Sequence, residues 1–217
     1  MLGAIYFTRR YNMTIKRVII LLVVFSVLTS CRRGYKIEGD NVYYEHWNEG
    51  SGQNKDLIDS ADPKTFEKLK FDCDCDFEFG KDKNHLYIDG KPIRNIDPNS
   101  FKFIGNYVFR DNDSAYYFGA YNNINDCAIK GVNPDKIKLI SYPWSKADNL
   151  LIHGYDTLSL GDVNDFIPID EDWGKTKNYV INKSIILSGA DPETFKVISS
   201  SSGKDKRHIY EYGEIKE

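Results

Sequence analysis

The chain has 217 residues and a formal net charge of −3, from 29 basic and 32 acidic side chains. This balance argues against nucleic acid as a partner, because phosphate binding requires clustered lysine and arginine. Fifteen tyrosines and twelve phenylalanines favour strands, in which aromatic and β-branched side chains are enriched.

An export signal occupies the N-terminus. Four basic residues precede an apolar run at 18–28, which contains Ser26 as its one polar residue, and polar sequence follows it. A basic region, a short apolar region and small residues at a cut site are typical of a secretory signal. The run has 11 residues, whereas a helix that spans a bilayer needs about 20. We therefore expect a cleaved signal that starts at Met13, with an uncleaved anchor as the alternative.

The sequence LTSC at 28–31 ends this signal and resembles the lipobox of bacterial lipoproteins. The resemblance implies that residues 1–30 are removed and that Cys31 carries acyl chains such as palmitate. Each buried methylene contributes about 0.8 kcal/mol, so two or three chains hold a protein on its membrane. No aspartate directly follows Cys31, and by resemblance to enterobacterial sorting we expect the outer membrane, with the domain facing the periplasm.

The mature chain is one domain or a short repeat array. Removal of the signal leaves 187 residues with a net charge of −7, because the signal carries four basic and no acidic residues. Residues 31–34 form a short tether and residues 35–217 form the domain. Three cysteines remain after Cys31. An odd number in an oxidising compartment leaves an unpaired thiol or an intermolecular pair.

Two phrases alternate along this domain, and the first contains Asp-Pro. It reads ADPKTF at 61–66, IDPNSF at 96–101 and ADPETF at 190–195, with a diverged copy, VNPDKI, at 132–137. The aspartate can accept backbone N–H bonds and proline suits the first helical position. The phrase predicts a capped helical or 3₁₀ turn with a buried phenylalanine. Its structural residues are Asp62, Pro63, Phe66, Asp97, Pro98, Phe101, Asp191, Pro192 and Phe195.

The second phrase predicts a tight turn followed by a strand. It reads KDKNHLY at 81–87, RDNDSAYY at 110–117 and KDKRHIY at 204–210, with weaker copies at 38–44, 146–151 and 175–180. Aspartate and asparagine suit tight turns, and the tyrosine-rich run that follows suits a strand. Its structural residues are Asp82, Asn84, Tyr87, Asp111, Tyr116, Asp205 and Tyr210.

The phrases define a repeat of about 28 residues. We align Asp82, Asp111, Asp148, Lys177 and Asp205, which lie 29, 37, 29 and 28 residues apart. Each unit then reads strand, tight turn, strand and capped turn. One hairpin is marginal in water, whereas stacked copies bury a shared apolar face. The sequence therefore predicts an all-β domain with short helical turns, built from tandem hairpins in a solenoid-like or propeller-like array.

Together the two phrases resemble the DKNYY repeat family of bacterial proteins, which is named for its Asp-Lys-Asn-Tyr-Tyr phrase. The resemblance covers roughly residues 35–217 and is weakest at 142–170. It implies a repeat architecture and no particular activity.

The segment 71–79 has the most regular alternation in the chain. It predicts a strand with three phenylalanines and two cysteines on one face and four carboxylates on the other. A cation-binding ladder is one interpretation. We favour a solvated face, because calcium sites come from compact loops and same-face strand carboxylates lie about 6.6 Å apart. The residues are Phe71, Asp72, Cys73, Asp74, Cys75, Asp76, Phe77, Glu78 and Phe79.

The cysteines leave their pairing open. A strand would hold Cys73 and Cys75 at the limit of the Cα separation that a disulfide accepts. Pairing of either one with Cys127 and buried thiols are the alternatives. No histidine or lysine is placed to activate a thiol nucleophile, and C-x-C is too tight for a usual zinc site.

No other motif indicates catalysis or a cofactor. His85 and His208 occupy the same position in two units, which indicates a structural role, and His46 and His153 fall outside that pattern. The stretch DNDS at 111–114 begins like a calcium loop but lacks its glycine and its final glutamate. No hydrolase or phosphate-binding motif is present. We expect no enzyme, no cofactor and no metal.

Three functions remain for an anchored repeat domain. The first is a non-catalytic module that binds another protein, since exposed tyrosines suit interfaces. The second is a glycan or cell-wall binder that uses Trp47, Trp144 and Trp173 as stacking faces, although core packing is the commoner fate of tryptophan. An envelope hydrolase ranks third, because no nucleophile and base can be assembled from the sequence.

Overall fold

The computed structural model describes residues 33–119 and 127–216. In these ranges the chain forms 22 strands in six antiparallel sheets, which follow one another in chain order. Helical structure in the same ranges is confined to two 3₁₀ turns, Pro134–Lys136 and Val163–Asp165. The prediction of an all-β domain with short helical turns is confirmed. The signal and Cys31 lie outside the described residues.

The first three sheets contain ten strands. The first sheet comprises β1 (Gly34–Glu38), β2 (Asn41–Asn48) and β3 (Gly52–Leu57). The second comprises β4 (Glu67–Leu69), β5 (Phe79–Lys81), β6 (Leu86–Ile88) and β7 (Lys91–Ile93). The third comprises β8 (Lys102–Gly105), β9 (Val108–Arg110) and β10 (Ala115–Tyr117), and Ala128 extends it through a bridge to Tyr116.

The other three sheets have four strands each. The fourth comprises β11 (Lys138–Ser141), β12 (Trp144–Ala147), β13 (Leu150–His153) and β14 (Asp156–Ser159). The fifth comprises β15 (Ile167–Pro168), β16 (Trp173–Lys175), β17 (Val180–Asn182) and β18 (Ile185–Ile186). The sixth comprises β19 (Lys196–Val197), β20 (Ser202–Lys204), β21 (Ile209–Glu211) and β22 (Glu214–Ile215).

The repeating unit is a four-stranded meander, so the predicted two-stranded hairpin is wrong. The first phrase precedes the first strand of a unit, and the second phrase forms the loop between its second and third strands, which we call the tip. Strands in the second to sixth sheets have only two to four residues. Such short strands do not show a readable alternation in the sequence, which therefore merges them with the turns.

The strands flanking the tip pair in one register throughout the second to sixth sheets. The residue before each tip pairs with the residue five positions later: Lys81 with Leu86, Arg110 with Ala115, Lys146 with Leu151, Lys175 with Val180 and Lys204 with Ile209. The first tip residues are therefore Asp82, Asp111, Ala147, Thr176 and Asp205. The predicted alignment of Asp148 and Lys177 with the aspartates is wrong by one residue.

The corrected register makes the repeat regular. Successive tips are now 29, 36, 29 and 29 residues apart. The longer interval includes 120–126, which lie outside the described residues. One backbone frame of 29 residues therefore recurs, with insertions in its loops.

The core of the described residues consists of five clusters of buried side chains, each shared by two consecutive sheets. The cluster between the second and third sheets is the most aromatic, and its rings meet in stacked and edge-on pairs. Its phenylalanines include Phe79, Phe101, Phe109 and Phe118. Each sheet thus buries apolar side chains against its neighbours along the chain.

Two tryptophans link consecutive sheets through the same bond. Trp144 begins β12 and Trp173 begins β16, and both are 0% exposed. The indole Nε1 of Trp144 donates to the carbonyl of Asp170 at 2.8 Å, and that of Trp173 donates to Ser199 at 2.8 Å. A second side-chain hydrogen bond recurs where these sheets meet. His153 donates to the carbonyl of Glu171, and Asn182 donates to that of Ser200.

Glycine occupies the middle of the second strand in three units because the first phrase places a phenylalanine over it. A Cβ on this glycine would lie within 2.5 Å of a ring carbon, which is closer than two carbons can approach. The pairs are Gly80 with Phe66, Gly174 with Phe166, and Gly203 with Phe195. Phe109 takes this position in the third sheet, where Phe101 stacks on it at 5.3 Å.

Candidate functional site

Each unit that carries both phrases has an aspartate–tyrosine centre, whose aspartate is buried in the second and third sheets and half-buried in the sixth. In the second sheet the Asp82 carboxylate accepts the hydroxyl of Tyr87 and the backbone N–H of Asp62, both at 2.9 Å. Its other oxygen accepts the backbone N–H groups of Asn84 and His85 at 2.8 and 2.7 Å. Asp82 therefore joins the first phrase to the tip. Asn84 contributes through its backbone, because its side chain points to solvent.

The third and sixth sheets repeat this centre atom for atom. Each aspartate accepts the matching tyrosine hydroxyl, the N–H of the first-phrase aspartate and two N–H groups of the tip. Asp111 accepts from Tyr116 at 2.7 Å and from Asp97 at 3.0 Å. Asp205 accepts from Tyr210 at 3.0 Å and from Asp191 at 2.9 Å.

The centres of the second and sixth sheets favour the ionised form of their carboxylates. Burial alone would raise the pKa of Asp82, but the backbone N–H groups and the Tyr87 hydroxyl outweigh it, so the pKa is lowered. The pKa of Asp205 is lowered by the same set of donors. Burial and the adjacent carboxylate raise the pKa of Tyr87 and of Tyr210 to about 12. The lone pairs are occupied by the fold, which indicates a structural role.

The fourth and fifth units lack the centre and change both partners together. In the fourth unit, Ala147 replaces the aspartate and Ile152 replaces the tyrosine. In the fifth unit, Thr176 replaces the aspartate and Ile181 replaces the tyrosine. The Thr176 hydroxyl still accepts two N–H groups of its tip. In these two units, therefore, the aspartate and the tyrosine are absent together.

The first phrase forms a capped turn. The Asp62 carboxylate accepts the N–H of Lys64 and the hydroxyl of Thr65, both at 3.1 Å. Pro63 directly follows this cap, and Phe66 is buried against Gly80. The other copies of the first phrase have the same capping bond, in which a backbone N–H donates to a side-chain oxygen. The N–H of Asn99 donates to Asp97, that of Asp135 to Asn133 and that of Glu193 to Asp191. Pro98 and Pro192 follow their caps in the same way, and Phe101 and Phe195 are buried.

The histidines have three different surroundings. His85 and His208 take equivalent positions, with Nδ1 at 3.5 and 3.4 Å from the hydroxyls of Tyr87 and Tyr210. His153 lies at a sheet junction, where burial lowers its pKa. His46 projects from the first sheet.

The acidic cysteine segment is not a strand, contrary to the sequence prediction. Residues 70–78 form an irregular loop between β4 and β5, which we call the disulfide loop. The first-phrase aspartate lies 20 residues before the tip aspartate in this unit and 14 residues before it in the other units. Phe71 and Phe77 of the inserted segment pack on the phenylalanine cluster, whereas Asp72, Asp74 and Asp76 are exposed.

Cys73 and Cys75 form a disulfide with each other, with their Cα atoms 5.1 Å apart. The prediction that they are held apart is wrong because the backbone bends here and is not extended. Pairing of either with Cys127 is likewise wrong, and Cys127 is buried as a thiol in the cluster between the second and third sheets.

The disulfide loop connects three sheets. Tyr35 of the first sheet donates its hydroxyl to the carbonyl of Glu78 at 3.1 Å. Tyr107 of the third sheet donates to the carbonyl of Asp74 at 2.9 Å. The loop therefore lies at the base of a tyrosine-rich surface.

That surface, the tyrosine patch, consists of Tyr107, Tyr117, Tyr142 and Tyr155. The ring of Tyr107 lies 5.4 Å from that of Tyr142 and 6.5 Å from that of Tyr117. Tyr117 is buried and lies over Gly154, the residue before Tyr155. Tyr142 and Tyr155 are 42% and 46% exposed. Three of the four residues lie in turns, where large aromatic residues are unexpected, and the sequence interpretation missed this signal.

Carboxylates flank the tyrosine patch on two sides. Asp74 and Asp76 of the disulfide loop approach Tyr107, whose pKa is raised by burial first and then by Asp74, Tyr142 and Asp76. Glu171 lies near Tyr117, and the backbone carbonyl of Glu171 accepts a hydrogen bond from His153. The patch is therefore aromatic at its centre and acidic at its borders.

A groove of about 590 Å³ separates the first sheet from the turn between β6 and β7. We call it the Trp47 groove, and its walls are Arg33, Tyr44, His46, Trp47, Asp56, Asp89 and Lys91. Asp89 binds Arg33 at 3.1 Å and accepts the hydroxyl of Tyr44 at 2.7 Å. Burial, with Asp89, raises the pKa of Tyr44 to about 12, so this hydroxyl stays protonated.

Trp47 differs from the other two tryptophans. It is 55% exposed near the end of β2, whereas Trp144 and Trp173 are fully buried and bonded through Nε1. The latter two cannot serve as stacking faces. Trp47 therefore remains as the exposed indole.

Two further observations apply to the described residues. Within residues 33–119 and 127–216, no three His, Cys, Asp or Glu side chains are grouped closely enough to hold a metal ion. No helix in those ranges has the length and hydropathy that a bilayer span requires.

Comparison with known proteins identifies the family. A search of curated proteins and a search of solved structures gave no match to the chain. The model of the DKNYY family matches residues 35–215, which contain all six sheets except Gly34, the first residue of β1. The match covers both phrases and the loops between them. The chain belongs to the DKNYY family.

Proposed function

We propose that this chain is a lipid-anchored protein of the bacterial envelope whose repeat domain binds another protein without catalysis. The observation that carries the proposal is the tyrosine patch. Tyr142 and Tyr155 are exposed in turns of the fourth sheet, the buried Tyr117 lies over Gly154 beside Tyr155, and carboxylates lie near Tyr107 and Tyr117. Tyrosine is enriched in protein interfaces because it offers a large apolar area and one polar group.

Of the two predicted arrangements, solenoid-like and propeller-like, we propose the open, solenoid-like array of the six sheets. Five clusters shared by consecutive sheets support it, as does the recurrence of the Trp144 and Trp173 bonds. Lys216 and Glu211 of the sixth sheet pair at 2.7 Å. They occupy positions held by Leu187 and Asn182 in the fifth sheet, and a polar outer face suits a terminal repeat.

Small-angle scattering of the domain 33–217 tests this arrangement. An open array gives a longer maximum dimension than a closed ring of the same six sheets. A profile that fits a compact ring or a sphere contradicts the open array.

Acylation of Cys31 supplies the anchor in this proposal. The support is the sequence LTSC after a basic and apolar signal. We expect Cys31→Ser to move the protein from the detergent phase to the aqueous phase and to abolish labelling by a fatty-acid analogue. Cys127→Ala, which keeps Cys31, is the matched control and should stay in the detergent phase. Unchanged partitioning of Cys31→Ser contradicts the anchor.

A photo-crosslinking amino acid tests the protein-binding surface in intact cells. Placed at Tyr155, it should give a discrete protein adduct. Placed at Tyr212, which is 78% exposed on the sixth sheet, it should not give that adduct. Failure of Tyr155 to crosslink, or the same adduct from both positions, contradicts the tyrosine patch as the interface.

A further inference from the structure

We propose that the Trp47 groove is a second binding site and that its ligand is an oligosaccharide. The inference uses residues of the first two sheets and does not depend on the tyrosine patch. It rests on three features of the groove: a supported aromatic face, a balanced set of polar groups and a fixed arrangement of those groups.

The aromatic face is supported from behind. A Cβ on Gly52 would lie 3.7 Å from two carbons of the Trp47 ring, so the indole lies over a residue that has no side chain. The hairpin of β2 and β3 thus carries the ring, and 55% of the residue stays exposed. Sugar rings present flat faces of C–H groups that stack on such an indole.

The polar groups of the groove balance in charge. Arg33 and Lys91 are cations, and Asp56 and Asp89 are anions. A strongly charged ligand would meet as much repulsion as attraction. An apolar ligand would cover these groups without giving them hydrogen bonds, which is costly. A neutral, hydroxyl-rich ligand satisfies both donors and acceptors.

The polar groups are also held in place before a ligand arrives. His46 Nε2 lies 2.8 Å from Asp56, and its ring stacks on Tyr44 at 5.7 Å. Asp56 occupies Nε2, so Nδ1 is left for a hydrogen bond with a ligand hydroxyl, which can donate or accept. Asp89 binds Arg33 and Tyr44 at the other wall. Preorganised groups bind with a smaller loss of conformational entropy.

The size of the groove fits a short oligosaccharide. Its volume of about 590 Å³ lies within the range of about 300–1,000 Å³ found for small-molecule sites. The groove is open at the surface, so a longer chain can pass through it. A stretch of a glycan polymer is therefore accommodated as well as a free end.

Fluorescence provides a direct test on the full domain. Trp144 and Trp173 are fully buried, so a saturable change in tryptophan emission on addition of ligand reports Trp47. The probes are tetramers of β-1,4-linked N-acetylglucosamine, β-1,4-linked glucose and α-1,4-linked glucose. Calorimetry confirms the binding of each tetramer. At least one tetramer should bind saturably.

Two variants and a control locate the site. Trp47→Ala should weaken binding at least tenfold, and Asp56→Asn at least threefold, with unchanged thermal unfolding. Tyr212→Ala removes an aromatic side chain on the sixth sheet that is more exposed than Trp47, and it should change binding less than twofold. Absence of saturable binding for all three tetramers overturns the proposal, as does full binding by Trp47→Ala. A Trp47 response to phosphatidylglycerol vesicles without a response to any tetramer also overturns it.

Discussion

The tips of the second and fourth sheets occupy equivalent positions, but one contains a polar pair of side chains and the other an apolar pair. The second buries the Asp82 carboxylate with the Tyr87 hydroxyl, and the fourth puts Ala147 and Ile152 in those positions. Both use the same pairing register. Without a carboxylate to collect its N–H groups, the fourth tip closes as a two-residue turn in which Asp148 has a φ of 51°.

The difference teaches that the two partners act as one unit. A buried polar centre is tolerated when every group is bonded, and an apolar centre is tolerated as well. A half-replaced centre leaves a buried hydroxyl or carboxylate without a partner, which is costly. The fifth sheet follows the same rule, because Thr176 replaces the aspartate and Ile181 replaces the tyrosine in the same unit.

The largest expected effect comes from breaking one centre. Asp82→Ala removes the acceptor for one buried hydroxyl and three backbone N–H groups. We expect it to lower the free energy of unfolding by about 3 kcal/mol, the range for hydrogen bonds to a charged group. Urea unfolding of the isolated domain measures this change.

The double variant Asp82→Ala with Tyr87→Ile sharpens the comparison. It recreates the pair found in the fourth sheet and should be more stable than the sum of the two single variants predicts, by about 1 kcal/mol or more. Additive losses would contradict the idea that the partners form one unit.

A smaller effect is expected where a glycine lies beneath a phenylalanine. Gly203→Ala would place a Cβ 2.2 Å from the Phe195 ring, so the ring or strand must move. We expect a loss of about 2 kcal/mol, as for other overpacked sites. The matched control is Gly161→Ala, whose Cβ would meet nothing within 4 Å. Equal thermal shifts for the two variants would show that the close approach has no energetic consequence.

Removal of the disulfide should cost less again. The Cys73–Cys75 bridge closes a very short loop, and the entropy of closing it corresponds to about 1–2 kcal/mol. The double variant Cys73→Ser with Cys75→Ser should lower stability by this amount and loosen the bond between Tyr107 and Asp74. Hydrogen exchange of residues 70–78 measures the loosening. Unchanged exchange would mean that the phenylalanines alone hold the loop.

The smallest effects appear only away from neutral pH. The lowered pKa values of Asp82 and Asp205 contribute stability above about pH 4, the range where an unfolded carboxyl is ionised. That stability is lost as the pH falls toward the folded-state values. The raised pKa values of Tyr87 and Tyr210 contribute stability that is lost as the pH rises from about 10 through about 12.

Thermal unfolding between pH 2 and pH 12 tests both limbs of this dependence. Asp82→Ala should make the acid limb less steep, because one of the carboxyls whose pKa is lowered is gone. An acid limb as steep as that of the unaltered chain would assign the acid sensitivity to other groups.

Local chemistry made much of the fold predictable. Asp62 and Pro63 specify a capped turn through bonds within a few residues, and Asp82 specifies a tip in the same way. The alternation at 71–79 misled because the same pattern suits a strand or a loop that packs its aromatic rings. Whether Cys73 reaches Cys75 depends on a backbone bend that the neighbouring sheets impose.

The sequence by itself determined the all-β class, the repeat phrases and their family, because turns and caps depend on residues that are close in the chain. Only the tertiary structure decided that each unit has four strands, that Trp144 and Trp173 are buried and that Trp47 is exposed. It also brought the tyrosine patch together from two sheets. Burial and contact between sheets depend on which surfaces meet after folding, and no local pattern contains that information.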